Sequence, residues 1–368
     1  MSAEAGRHTR REIFQQPALW PTTLNRVDAA SHQFDLKTKL AGKRILFTGA
    51  GTSAYAAHAV AVADRRCLAV PTTDLLLDAE RVLAGADVLI SLARSGNSPE
   101  SAAVVERVHA LRPDLPQYAI TCNADSKLTR AKLNGVIFLD PRSNDESLVM
   151  TSAFSNLVLA GLALLKRDAA GAAVAACAPR AQSLLAQIDQ SCHAAASKAH
   201  DRIVILSSSP LFGWADEARL KVLEMTAGAY PAIAETFLGL RHGPMSFVRE
   251  DTLVLALLSN DPQRRLYERD LLKELRAKKL GTLVGIAGDA DGDLFDAMIP
   301  AVAAGVADAL RTPFEIIAPQ LLGYHLSLMK GLDPDNPSPS GVINRVVQGV
   351  IIHPATPSSS EAVGHKKP

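Results

Sequence analysis

Residues 87–100 read Asp-Val-Leu-Ile-Ser-Leu-Ala-Arg-Ser-Gly-Asn-Ser-Pro-Glu, and this stretch decides the fold. Its first half is the continuous apolar run of a strand buried on both faces, and a helical pattern follows from Glu100 to Leu111. Glycine and serine at the turn between them can hold a phosphate, because a helix start offers free N–H groups. A Ser/Asn-rich helix cap is the alternative. The turn contains no lysine and so differs from the nucleotide P-loop.

The alternation of short apolar runs with longer helical patterns occurs twice along the chain. Arg44–Phe47 matches Arg202–Ile205, and Asp87–Ile90 matches Asp251–Val254. Such alternation is typical of βαβ units with parallel strands. We therefore predict an α/β fold made of two tandem, doubly wound parallel-sheet domains. The predicted strands are Arg44–Thr48, Asp87–Ala93, Gln117–Cys122, Gly135–Leu139, Arg202–Leu206, Asp251–Leu258, Thr282–Ala287 and Ala297–Val302.

Further segments flank the two predicted domains. The first residues have a helical pattern in which Pro17 and Pro21 are expected to act as breaks, and the last ones are rich in turn residues. We expect residues 354–368 to be frayed. The predicted boundaries are 1–35 for a helical arm, 36–190 for the first domain, 191–330 for the second domain and 331–368 for the tail.

The two halves differ in the loops that follow equivalent strands. The first half has Gly51-Thr52-Ser53 after its first strand and Ser95-Gly96-Asn97-Ser98 after its second. Both loops lie at carboxyl ends of strands, where such sheets bind ligands. The second half has Ser259-Asn260-Asp261 in the later position, and an acidic turn repels a phosphate. We therefore expect the first domain to hold the phosphate.

Two segments of the second half carry residues suited to acid–base chemistry. Glu217, Lys221 and Glu224 share one face of a helix through spacings of four and three. Either they form an exposed salt-bridge ladder, or a carboxylate beside an ammonium in a cleft acts as a tuned general base. His242 precedes Gly243-Pro244, which places it on a loop, either as a functional group or as a solvent-exposed histidine.

Composition excludes several other classes of protein. The 39 Lys and Arg residues balance 38 Asp and Glu residues, so nothing draws the whole chain toward nucleic acid or a membrane. The four cysteines form no C-x-x-C pair, which favours reduced thiols and the cytoplasm. His and Cys residues lack metal-ligand spacing. The acidic stretch Asp289–Asp293 lacks the closing glutamate of a calcium loop and is expected to be a solvated turn, so we predict no metal.

Several motifs together resemble sugar isomerase (SIS) domains. Gly51-Thr52-Ser53 and Ser95–Ser98 resemble SIS phosphate loops, which implies the flavodoxin-like SIS fold. In the second half, Lys221-Val222-Leu223-Glu224 and Arg241-His242-Gly243-Pro244 resemble the K-x-x-E helix and K-H-G-P loop of the isomerase portion of glucosamine-6-phosphate synthase. Arg11–Pro17 resembles the E-I-x-x-Q-P arm at the start of that portion.

The chain also departs from the synthase. The synthase turn S-Q-S-G-E-T is replaced by Ala93-Arg94-Ser95-Gly96-Asn97-Ser98, which loses a hydroxyl and gains an arginine. The tail lacks the lysine that the synthase has near its end, and Asn336–Arg345 stands in its place. With the segment Leu240–Phe247, these features are most similar to the galactosamine-6-phosphate deaminase family, whose members are also called tagatose-6-phosphate ketose/aldose isomerases.

The resemblance implies a function and a set of residues. It implies conversion of D-galactosamine 6-phosphate to D-tagatose 6-phosphate and ammonia, without a cofactor, by a cytoplasmic homodimer in which the neighbouring subunit supplies His242. Glu224 is the expected base, assisted by Lys221 and Glu217. The substrate-binding residues are expected to be Gly51, Thr52, Ser53, Arg94, Ser95, Gly96, Asn97, Ser98, Thr151, Ser152 and Arg345.

Three rival functions stay open on the sequence. They are a plain ketose/aldose isomerase, a deaminase of the gluco epimer and a non-catalytic sugar-phosphate sensor. The orientation of one sugar hydroxyl depends on pocket geometry, which no motif encodes. Retention of both Glu224 and His242 argues against a pure sensor.

Overall fold

Two parallel sheets organise the molecule. The computed structural model describes residues 5–338 and 340–353. Within these residues, ten strands form two five-stranded sheets. The strands are β1 (Ile45–Gly49), β2 (Cys67–Pro71), β3 (Val88–Ala93), β4 (Gln117–Thr121), β5 (Gly135–Phe138), β6 (Arg202–Ser207), β7 (Ala232–Thr236), β8 (Thr252–Leu257), β9 (Thr282–Ala287) and β10 (Ala297–Pro300).

Both sheets have the same doubly wound topology. The first has the order β2-β1-β3-β4-β5, and the second has the equivalent order β7-β6-β8-β9-β10. Every pairing is parallel, with Ile45 opposite Val88 in the first sheet and Arg202 opposite Thr252 in the second. The prediction of two tandem, doubly wound α/β domains is confirmed.

Helices cover the faces of both sheets. In chain order they are α1 (Arg7–Phe14), α2 (Gln16–Phe34), α3 (Leu36–Leu40), α4 (Thr52–Ala61), α5 (Thr72–Leu77), α6 (Ala79–Leu83), α7 (Pro99–Leu111), α8 (Lys127–Arg130), α9 (Ser152–Leu165), α10 (Arg167–Ala196), α11 (Phe212–Met225), α12 (Pro262–Ala277), α13 (Thr312–Glu315) and α14 (Ile317–Met329).

Strand prediction succeeded for central strands and failed at one edge of each sheet. All eight predicted strands are present, with ends shifted by one or two residues. The edge strands β2 and β7 were missed. Leu68 in β2 is 59% exposed, and every residue of β7 is only half-buried. An edge strand lacks a neighbour on one side and therefore does not need the continuous apolar run that identified the others.

The amino-terminal arm is helical, as predicted, but one of its two prolines is not a break. Pro17 lies in the first turn of α2, where a missing N–H costs nothing. Pro21 lies inside α2, which continues to Phe34. The apolar face of the helix carries fully buried Leu19 and Trp20, and this tertiary packing outweighs the lost hydrogen bond.

A single hydrophobic core joins the two domains. Phe47 of the first sheet and Ile205 of the second belong to the same cluster of buried residues, with helices α4, α9, α10, α11 and α14 between the sheets. Helix α10 contacts both α2 and α14. It also runs through residue 190, where the sequence suggested a domain boundary, and ends at Ala196. The expected fraying of residues 354–368 lies outside the described residues.

The acidic stretch after β9 is only in part the solvated turn that the sequence suggested, because Asp293 is exposed but Asp291 is buried. The Asp291 side chain is 1% exposed, and its carboxylate forms ion pairs with Arg265 and Arg269 of α12. Sequence reasoning missed this because the two arginines come from a different element. Their guanidinium groups compensate the buried charge, which makes its burial tolerable.

Candidate active site

A cleft of about 320 Å³ opens at the carboxyl ends of β1 and β3. Three segments form its walls: the turn 50–53 after β1, the turn 92–98 after β3, and residues 342–348 of the tail. Ser101, Leu148, Met150 and Glu224 complete the lining. The location agrees with the rule that doubly wound sheets bind ligands where the strand order reverses, here between β1 and β3.

Two helix starts border this cleft. Helix α4 begins at Thr52 after Gly51, and α7 begins at Pro99 after Ser98. Among the described residues, no side chain caps either start. Gly51 has φ 56° and Gly96 has φ 62°, a conformation that other residues adopt only with strain. Uncapped N–H groups and two positive dipole ends together make an anion-binding cradle.

Hydroxyl groups line the same cradle. Ser95 and Ser98 are half-buried at its edge, and the Ser98 hydroxyl hydrogen-bonds to that of Ser101 over 2.6 Å. Ser53 and Thr52 lie beside them at the start of α4. Ser101 was missed because it lies one helical turn beyond the recognisable turn. Asn97, which the sequence included, faces away, and its Oδ1 accepts the Lys127 N–H at 3.0 Å.

A buried charge cluster on α11 adjoins the cradle. Lys221 and Glu217 are fully buried, whereas Glu224 is 24% exposed and reaches the cleft. The Lys221 ammonium lies 2.5 Å from Glu224 Oε2 and 3.3 Å from Glu217 Oε1, and it donates to Thr52 Oγ1 at 3.2 Å. Thr52 in turn donates to Glu217 at 3.3 Å. The interpretation as an exposed salt-bridge ladder is therefore wrong.

The pKa values of Glu217 and Lys221 are shifted by their burial and by their charged neighbours. Burial raises the pKa of the Glu217 carboxyl to about 8, and the Glu224 carboxylate adds to this rise while Lys221 opposes it. Burial alone would lower the pKa of Lys221, but the two carboxylates outweigh it and raise that pKa. At neutral pH the ammonium therefore pairs with Glu224, and Glu217 is largely protonated. Of the two carboxyl groups beside Lys221, that of Glu224 lines the cleft.

Arg94 lies in the cleft wall, with its guanidinium engaged by the main chain. It donates to the carbonyl oxygens of Ser147 at 3.2 Å, of Leu148 at 3.1 Å and of Arg345. The Arg345 side chain donates to the carbonyl oxygens of Asn144 and Asp145. Apart from Arg345, the contribution of the tail was missed, because its contacts join positions some 200 to 250 residues apart.

Thr151 and Ser152 do not reach the cleft. Both are fully buried at the start of α9. The Asp145 carboxylate accepts the N–H groups of Thr151 at 2.7 Å and Ala153 at 2.9 Å, and also the Ser152 hydroxyl. Gln15 of the arm donates to the Ser152 hydroxyl at 3.1 Å. These two residues support the cleft from behind.

His242 lies outside the cleft of its own chain. It directly follows a short 3₁₀ turn, Gly239–Arg241, after β7, and its side chain is exposed. The preceding Arg241 forms an ion pair with Glu274 of α12 over 2.7 Å. Within the ranges that the structure describes, no group of three or more His, Cys, Asp or Glu side chains is arranged to hold a metal ion.

Comparison with known proteins identifies the relatives of this chain. No family model matches it. A D-galactosamine-6-phosphate deaminase from Shewanella is 35% identical over 379 residues, which cover 94% of this chain and 92% of the relative. The chain belongs to the D-galactosamine-6-phosphate deaminase family. The resemblance inferred from the phosphate loops, the α11 residues and the His242 loop is thereby confirmed.

Solved structures share the architecture of this family. The tagatose-6-phosphate ketose/aldose isomerase of Escherichia coli is 31% identical, with a TM-score of 0.84 over 95% of this chain and 97% of that one. The C-terminal domain of glucosamine-fructose-6-phosphate aminotransferase from Francisella tularensis is 21% identical, with a TM-score of 0.73 over 90% and 98%. That likeness shows the tandem SIS fold alone. No helix in the described part of the chain is long and apolar enough to span a bilayer.

Proposed function

We propose that this chain converts D-galactosamine 6-phosphate to D-tagatose 6-phosphate and ammonia. One observation carries the proposal: the carboxylate of Glu224, paired with the buried Lys221 ammonium, opens into the same cleft as the uncapped starts of α4 and α7. An anion cradle beside a general base suits a sugar phosphate whose reacting carbons lie at the other end of the molecule. The relatives named above act on substrates of this class.

The proposed reaction begins with binding and ring opening. The phosphate accepts N–H groups from the two helix starts and hydroxyl groups from Thr52, Ser53, Ser95 and Ser98. His242 then moves a proton from the anomeric hydroxyl to the ring oxygen, which opens the ring to an aldehyde at C1. General acid–base assistance of this kind contributes about 10²–10⁴-fold to rate.

Proton transfer between neighbouring carbons follows. Glu224 removes the proton at C2, and O1 takes a proton from water, giving an enol that carries the amino group at C2. Glu224 returns its proton to C1, which produces an iminium at C2, and the iminium gives one N–H proton back to water to become a ketimine. Water adds to the C=N bond and ammonia leaves, so that the ketose remains. Lys221 orients Glu224 and stabilises the negative charge that develops at O1, and Glu217 positions Lys221.

We further propose that the active form is a homodimer with composite sites. His242 is exposed and lies outside the cleft of its own chain, so a second copy has to deliver it if it opens the ring. A two-fold dimer places two such sites across one symmetric interface. The four cysteines are free and buried, which fits a reducing compartment, and we propose the cytoplasm.

Two rival activities use the same proton-transfer groups. A plain isomerase would stop at the ketose of a sugar without an amino group, and the tagatose-6-phosphate isomerase name of a close structural relative keeps this alternative in view. A sugar-phosphate sensor would need the cradle but not the buried Lys221 between two carboxylates. Because burying the two ionisable groups Lys221 and Glu217 is costly, the cluster favours an enzyme.

The deciding experiment measures ammonia and ketose formation from galactosamine 6-phosphate and glucosamine 6-phosphate, with tagatose 6-phosphate and fructose 6-phosphate as isomerase substrates. We expect ammonia release with the galacto epimer to exceed the other three rates. Faster release from the gluco epimer would reassign the substrate. Conversion of a ketose phosphate to its aldose phosphate without ammonia release would make the chain an isomerase, and binding without turnover would make it a sensor.

A further inference from the structure

The tail segment 342–348, here called the strap, is held at the cleft by hydrogen bonds of two arginines. The Arg94 guanidinium donates to the main-chain carbonyl of Arg345 in the middle of the strap. The Arg345 side chain extends the other way and donates to the carbonyls of Asn144 and Asp145. Residue 345 is thus fixed through both its main chain and its side chain, and the strap forms one wall of the cleft.

Arg94 also holds a second wall segment. Its other guanidinium nitrogen donates to the carbonyl oxygens of Ser147 and Leu148, and Leu148 lines the cleft. That loop is itself anchored, because the Glu12 carboxylate of the arm accepts the N–H groups of Glu146 and Ser147. One side chain therefore links the loop and the strap, which both line the cleft.

The hydrogen bonds of Arg94 fix the positions of its neighbours without neutralising its positive charge. Arg94 is 6% exposed, and among the described residues it forms no ion pair with a carboxylate, since its three hydrogen bonds go to neutral carbonyls. The positive charge remains available to attract an anion through space. A planar guanidinium can serve three acceptors in two segments, whereas a lysine ammonium is a point charge on a flexible stem.

We infer that Arg94 is a positioning residue that sets the strap against the cleft, and that it is not a hydrogen-bonding ligand of the phosphate. Its place between Ala93 and Ser95, beside the cradle, makes it look like a ligand in sequence. In the structure, however, its guanidinium donates to main-chain carbonyls of the cleft wall. The kinetic part of this inference rests on the proposed function, whereas the position of the strap does not.

The test compares Arg94→Lys with Ser95→Ala as a matched control. The two variants change adjacent residues. Arg94→Lys keeps the positive charge but removes the planar guanidinium that serves several acceptors at once. Trypsin cleavage after Arg345 reports release of the strap, because proteolysis follows the population of the open segment. Cleavage after Arg130, whose side chain is 70% exposed, provides the internal reference. Binding of inorganic phosphate reports the cradle without the sugar.

For Arg94→Lys we expect cleavage after Arg345 to speed up about tenfold or more, as loss of hydrogen bonds to a charged donor allows. The inorganic phosphate Kd should change by less than about twofold, whereas a displaced wall can lower kcat by about 10²-fold. For Ser95→Ala we expect the reverse: unchanged cleavage and a phosphate Kd weakened about tenfold. If Arg94→Lys weakens phosphate binding as strongly as Ser95→Ala does, the inference is overturned.

Arg345→Lys keeps the trypsin site and releases the strap from its other side. It should reproduce the faster cleavage, and the double variant should add little to either single change, because both arginines hold one segment. If Arg94→Lys does not fold, Arg345→Lys carries the test, and unchanged cleavage in that variant overturns the inference. A wild-type chain that releases no ammonia would refute the proposed function and leave the cleavage and phosphate results standing.

Discussion

The turn after β3 and the turn after β8 occupy equivalent places in two sheets of the same topology, yet the first lines the cleft described above and the second does not. After β8, Asp261 caps α12 by accepting the Arg264 N–H at 2.9 Å. Asp308, from the loop after β10, accepts the Asn260 N–H at 2.9 Å and the Ser259 hydroxyl. The second turn is thus already occupied by carboxylates of its own chain.

The turn after β3 has kept its hydrogen-bonding capacity free. Its helix start is uncapped among the described residues, the Ser98 hydroxyl contacts that of Ser101, and the Ser95 hydroxyl accepts the Asn97 N–H. The loop after β5 also carries a buried aspartate, Asp145, but this carboxylate caps α9. The comparison teaches that the topology offers a place for an anion at both turns. Whether an anion can bind there depends on whether a carboxylate from a nearby loop, such as Asp308, already contacts the turn.

The largest loss of activity is expected at Glu224, the only α11 carboxylate that lines the cleft. Glu224→Gln should lower kcat by about 10²–10⁴-fold, because a positioned general base contributes that much. KM should change little, since the cradle is untouched. Ammonia release and solvent-deuterium uptake at C1 measure the two aspects of the step. A near-native rate would make Glu224 a partner of Lys221 only.

Subunit mixing tests whether the open site is completed by a second chain. His242→Ala should be inactive on the cyclic substrate, and Glu224→Gln should be inactive as well. Mixing equal amounts should restore about a quarter of native activity, because half of the dimers are mixed and each has one intact site. Subunit exchange is confirmed with two differently tagged chains. Exchange without recovery would place both groups on one chain.

The occupied turn should respond to mutation through stability rather than kinetics. Asp308→Ala removes a carboxylate whose side chain is 4% exposed and leaves Arg311, which is 1% exposed, without one of its partners. Breaking a buried pair costs about 3–5 kcal/mol, so the free energy of unfolding should fall by that order. The KM for the sugar phosphate should stay unchanged. A raised KM in a chain of native stability would contradict the assigned structural role.

The open turn should show the opposite behaviour. Ser95→Ala removes one hydrogen bond to a charged acceptor, which is worth about 1.5–3 kcal/mol, so KM should rise about tenfold or more while the free energy of unfolding stays near native. Ser98→Ala and Thr52→Ala should act in the same direction. Steady-state kinetics and chemical denaturation on the same samples measure both quantities. An unchanged KM in all three variants would refute the phosphate assignment.

The last prediction concerns the pH dependence of folding, measured as a slope per pH unit. Glu217 has its ordinary pKa of 4.5 in the unfolded chain and about 8 when buried, so the folded state holds one more proton between these values. Its contribution to stability is complete below about pH 4.5 and is lost as the pH rises to about 8, at about 1.4 kcal/mol per pH unit. Glu217→Gln should remove this slope in denaturation curves. Identical slopes would mean that Glu217 is ionised in the fold.

Sequence reasoning succeeded where local pattern and physical requirement coincide. Central strands such as β3 and β8 must be apolar on both faces, and the turn after β3 needs glycine and hydroxyl residues. The spacing of Glu217, Lys221 and Glu224 placed them on one helix face before their burial was known. Edge strand β7 escaped because its half-buried residues need no such pattern.

The sequence by itself determined the alternation of strands and helices, the glycine-dependent turn after β3 and the acid–base residues of α11, since each follows from short-range periodicity or conformational need. Only the tertiary structure decided that Lys221 is buried against Thr52 of the other domain, that Asp308 fills the second turn, and that Thr151 and Ser152 lie behind the cleft. Such contacts join residues far apart in the chain, and their energies depend on burial that no local pattern encodes.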